Sequence, residues 1–185
     1  MSERSFSERV AAHLSVLAAY VVFTGLVTTE AYYSVFGIRY QTLQFSATHI
    51  LYRGLTIIAG DPWLAVPLTL SIWWVFAGDA DSSGVSNGAG RTLTLALAAL
   101  LLVGVTYRIA QSAGVAAGQR DAQDATSSLP RIETVSGGMA HPGDAILWFD
   151  DHEMIAFTPI DNLSAVPIVK RILRSEIHEL SMSRP

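Results

Sequence analysis

Between Glu30 and Arg108 the chain carries almost no formal charge; the exceptions are Arg39, Arg53, Asp61, Asp79, Asp81 and Arg91. Soluble domains devote roughly a quarter of their residues to Asp, Glu, Lys and Arg, whereas this chain of 185 residues devotes 15% to them. Mean hydropathy is positive, at +0.36. That distribution excludes intrinsic disorder, a coiled coil and an ordinary water-soluble enzyme. Charge density returns to normal past Arg108. About two thirds of the chain therefore reads as membrane-embedded and the remainder as a small solvated module.

Crossing about 30 Å of hydrocarbon takes about 20 apolar residues in a helix. Ala11 to Thr29 meets that without a charged group, and Leu93 to Tyr107, extended by Thr92 and Ile109-Ala110, is the clearest helix former in the chain. The N-terminal segment lacks a small-residue cleavage pattern and is not read as a removed signal. Between them, Leu43–Ala59 and Trp63–Ala77 flank Gly60-Asp61-Pro62, a breaker that predicts a turn between two antiparallel helices. The sequence thus predicts an α-helical polytopic membrane domain of four transmembrane helices; three plus an interfacial helix is the alternative. The domain covers residues 1–110, a helical linker covers 111–128, and a small β-rich soluble module covers 129–185.

Four crossings put Arg4, Arg9, Arg108 and Arg120 on one face, which by the positive-inside rule makes both termini cytoplasmic in a multi-pass protein of the inner membrane. Three crossings would instead make the module extracytoplasmic. Tyr32, Tyr33, Phe36 and Tyr40, with Trp73, Trp74 and Phe76, are expected as interfacial anchors on one side and Tyr107 on the other. Asp79–Gly90 reads as a polar linker. The stretch Tyr32–Ile38, YYSVFGI, is motif-like, but no function attaches to it.

From Arg131 the pattern becomes one of short strands: Ile132–Val135, Ala145–Phe149, Met154–Thr158 and Val166–Ile172. His141-Pro142-Gly143-Asp144 and Asp150–Glu153 are the turns between them. Pro167 marks an edge strand or a strand start, and Glu176–Leu180 is a last strand or a short helix. A compact sheet or small barrel is expected, too small to bury much core without help from the preceding helix or a second copy.

His49 and Arg53, four apart and hence on one helix face, are the ionisable residues of the apolar region that mark a functional site. They would line a polar path, or else Arg53 snorkels to the interface while His49 bonds between helices. Gly104, Ala110, Gly114 and Gly118, with Gly25 and Gly54, are small residues that let helices approach closely. His141, Asp144, Asp150, Asp151, His152 and Glu153 have the chemistry of metal ligands but no ligand spacing, so no metal is expected. Cys is absent, and no serine sits in an activated motif. Neither catalytic residues nor a cofactor is expected. A net charge of −4 provides no field to hold nucleic acid. The expected role is a non-enzymatic, membrane-anchored interaction or assembly subunit. The lipid bilayer surrounds its helices, and residues 129–185 meet a protein partner or a second copy. An oligomeric channel with His49 and Arg53 lining the path is the alternative.

Overall fold

A computed structural model describes residues 3–43, 45–67, 69, 88–123, 127–136, 139–161 and 167–183. Among these, four helices precede a five-stranded sheet: α1 (Glu3–Ser34), α2 (Ala47–Gly60), α3 (62–67) and α4 (Gly88–Ala122), then β1 (Arg131–Ser136), β2 (Ala145–Phe149), β3 (Glu153–Thr158), β4 (Ile168–Leu173) and β5 (Glu179–Ser183). The chain forms two compact units. One comprises Met1–Glu30 and Gln44–Gly114, the other Ala31–Leu43 and Val115–Pro185. The second unit therefore takes in residues 31–43, which the sequence alone assigns to the membrane domain.

Among the described residues, Val10–Ser34 of α1 and Ala99–Ala122 of α4 are long and apolar enough to cross a membrane. Most of the apolar window of each is not buried within the protein. At 1.5 Å per residue, the 14 residues of α2 reach about 21 Å, short of a bilayer core. Two of the four expected spans thus have crossing length. The expected span Trp63–Ala77 is helical at its start, and beyond residue 69 it lies outside the described residues, as does most of the Asp79–Gly90 linker. Asp61 joins α2 to α3. Its backbone N–H closes α2 on Ile57, and its carboxylate then accepts from the N–H of Trp63 at 2.9 Å. Pro62 occupies the first helical position of α3, where its missing N–H costs nothing.

Glycines let α1 and α2 touch. A Cβ on Gly25 would stand 2.1 Å from the carbonyl oxygen of Ile50, and one on Gly54 2.2 Å from that of Val21. Val21, Ile58 and Leu64 form the core beside this contact, with Tyr20 and Ile109 packed against it. Thr24, Thr28 and Thr29 are fully buried in α1, each hydroxyl donating to the carbonyl four residues back at 2.7–2.9 Å. That arrangement satisfies a hydroxyl in an apolar setting without a second helix.

In the sheet unit the strands are antiparallel in the order β4-β3-β2-β1-β5. Pro167 precedes β4, an edge strand, where an absent N–H is tolerated. The segment whose identity the sequence left open is a 3-10 turn over Arg174–Glu176 followed by β5. β2 and β3 carry consecutive buried residues, Ala145–Leu147 and Met154–Phe157, because both faces are covered. Ile132, Ile146, Met154, Ala156, Ile172 and Ile177 form the core on one face. On the other, the ring of Phe36 lies 4.8 Å from that of Phe157.

That contact revises the role expected of the aromatic residues after the first span. Tyr32, Tyr33 and Phe36 are buried in the sheet unit and are not interfacial anchors. The YYSVFGI segment is the end of α1 plus a turn closed by Gly37 at φ +68°, and it forms part of that unit's interior.

Candidate functional site

Ser46 caps the N-terminus of α2, its hydroxyl accepting from the His49 N–H at 3.2 Å. The cap fixes the first turn and sets the His49 ring against that of Phe45, stacked at 5.1 Å with a 21° tilt. His49 Nε2 is buried and has no hydrogen-bond partner among the described residues. One turn on, Arg53 is half-buried beside Gly54, at the α1–α2 contact. The two polar residues expected on one face are therefore next in sequence to Ile50 and Gly54, which make the close α1–α2 approach.

The small residues of α4 have different surroundings. Ala110 is completely buried, and Gly114 is buried too. In the sheet unit a Cβ on Gly118 would meet the Tyr32 carbonyl oxygen at 2.8 Å and the Val35 side chain at 2.9 Å. Gly104 is exposed, and a Cβ added there would have nothing within 4 Å among the described residues.

The sheet unit holds a polar cluster that sequence reasoning did not assemble. Gly143 at φ +94° closes the His141–Asp144 turn and directs Asp144 inward. Asp144 is 2% exposed. Its carboxylate accepts from Lys170 Nζ at 2.6 Å, from the His141 backbone N–H at 2.9 Å and from Thr158 Oγ1 at 2.9 Å. Burial pushes its pKa up, but these donors and the lysine charge outweigh burial and hold it below the usual carboxylate range. Register explains the meeting. Lys170 stands opposite Ala156, and Thr158 opposite Ile168, so β3 and β4 present both side chains on the face where Asp144 ends its turn. Lys170 is the lone lysine of the chain, the one signal in the sequence that marked it.

The other acidic residues are engaged locally. Asp150 accepts from the N–H groups of His152 at 2.8 Å and Glu153 at 2.7 Å and from Trp148 Nε1 at 3.0 Å. The Glu153 N–H, then the indole and the His152 N–H, pull its pKa down. Glu153 pairs with Arg171 on the neighbouring strand. Among the described residues no three His, Asp or Glu side chains gather as metal binding requires. The bonds around Asp144 can pin β2, β3 and β4 together, since they link the turn before β2 to side chains on both other strands.

Comparison with protein-family models, with curated proteins and with solved structures returns no match.

Proposed function

We propose that this chain is a non-enzymatic, membrane-anchored interaction or assembly subunit. The observation that carries the reading is the apolar surface of its long helices. On α4, Leu100 and Leu101 are about 70% exposed, and Val103 and Val105 about half. Contiguous apolar surface on this scale is stable in lipid and drives association in water. The sheet unit supplies the interaction face. β4 lies at the edge of the sheet order, and Ile168 and Leu173 on it are exposed. Such an edge favours added pairing with a protein partner or a second copy.

A photo-crosslinker at position 168 in native membranes tests this reading. A crosslinked band of discrete mass, lost in the Leu173→Glu variant, supports it. A monomer without crosslinks would remove the interaction role.

The second reading, an oligomeric pore lined by His49 and Arg53, draws on the buried Nε2 of His49, which has no partner among the described residues. Arg53→Leu discriminates the two. Lost solute flux in liposomes with unchanged assembly favours the pore, and unchanged flux removes it.

A further inference from the structure

We propose that the N-terminus of α1 and the sheet unit lie on opposite faces of the membrane, so that the chain crosses an odd number of times. The inference rests on the membrane reading above and adds to it the side on which the partner is met. Both long helices enter the sheet unit by their C-terminal ends. The last turn of α1 contributes Tyr32, whose hydroxyl donates to Asp121 Oδ2 in the last turn of α4 at 2.8 Å. Gly118 brings α4 against the Tyr32 carbonyl and Val35, and the Ala122 carbonyl accepts from the Ile160 N–H at 3.0 Å, tying the end of α4 to the chain after β3.

Two crossings that both run toward the same unit require one net return between them. A four-crossing path ends α1 on one face and α4 on the other, and it would hold Tyr32 and Asp121 a bilayer apart. The odd path also agrees with the length of α2, which is too short for a crossing of its own.

Short flanking segments give the orientation. Arg4 and Arg9 precede the apolar part of α1, and Arg39 alone follows it before α2. A translocated domain the size of the sheet unit adds little to that count. The N-terminus is then cytoplasmic, and the sheet unit, with its β4 edge, faces the extracytoplasmic side. Its partner is a protein segment exposed on that side.

The cysteine-free chain permits a direct test with Ser5→Cys, Gln41→Cys and Ser175→Cys as separate variants. Each is treated in sealed vesicles of known sidedness with a membrane-impermeant maleimide, before and after permeabilisation. Q41C and S175C are expected to label from one face and S5C from the other. Labelling of S5C and S175C from the same face overturns the topology while leaving the membrane reading intact. Release of the chain by alkaline carbonate overturns the membrane reading itself, and the topology with it.

Discussion

Gly25 of α1 and Gly54 of α2 face each other so closely that each lies against the other helix's backbone: added Cβ atoms would stand 2.1 and 2.2 Å from the Ile50 and Val21 carbonyl oxygens. Backbone cannot yield as a side-chain tip can, so any larger residue must push the helices apart. Gly25→Val and Gly54→Val are each expected to destabilise the helical unit by about 3 kcal/mol, the upper end for overpacking. Gly104→Ala, with open space around it, is expected to be neutral or stabilising by up to about 1 kcal/mol through helix propensity. Unfolding midpoints in mixed detergent–SDS micelles check all three; equal midpoints for Gly25→Val and the unsubstituted chain would refute the close contact.

At Gly118 the added Cβ would meet Val35 and the Tyr32 carbonyl. Gly118→Leu should therefore separate α4 from the end of α1 and raise amide exchange across residues 31–43. Tyr32→Phe keeps the ring in place and deletes one hydrogen bond to Asp121, a loss of about 1 kcal/mol. Hydrogen-exchange mass spectrometry of the full chain in detergent separates the two, with the glycine variant the more severe. Similar exchange in both variants would show that the contact is not tight.

Local signals in the sequence were enough for the strands of the sheet unit and insufficient for what lies against them. AILWF and EMIAFT are short apolar runs bounded by turn residues, Pro167 marks the edge, and Gly143 the turn, so β2, β3 and β4 could be read within a residue or two. Spacing also carried information on α4: Thr106, Ala110, Gly114, Gly118 and Ala122 recur every four residues and all are buried, while Gly104 falls off that stripe. The aromatic end of α1 was not legible. Tyr32, Tyr33 and Phe36 have one composition whether they meet lipid headgroups or a protein core, and the residue that decides, Phe157, is remote in sequence. Asp144 and Lys170 are likewise joined only by strand register, 26 residues apart.

The Asp150 carboxylate organises the β2–β3 turn by accepting from two backbone N–H groups and the Trp148 indole. Asp150→Ala is expected to speed amide exchange at His152 and Glu153 and to remove the acceptor of the indole N–H, shifting Trp148 fluorescence, while the Met154–Phe157 core stays protected. Asp150→Asn keeps the acceptor oxygen and should recover most of the protection. If the alanine variant exchanges no faster at His152 and Glu153 than the unsubstituted chain, the turn does not depend on the carboxylate.

Asp144 is expected to contribute to how the sheet unit responds to acid. Its folded pKa lies below the unfolded value of about 3.9, so the unfolded chain takes up the proton first. The stabilisation is full above the unfolded value and is lost as pH falls through the folded one. Protonation would leave Lys170, itself mostly covered at 15% exposure, without its counterion. Asp144→Asn imposes that state at every pH. It is expected to lower stability at pH 7 by about 3 kcal/mol, as for a buried pair stripped of one partner, and to flatten the acid dependence as pH falls below the unfolded-state value. Adding Lys170→Met removes the orphaned ammonium and should restore much of the loss. Amide exchange across β2 and β3, followed from pH 7 downward in the full chain, measures all of this. An unchanged acid profile in Asp144→Asn would assign the acid sensitivity to other carboxylates.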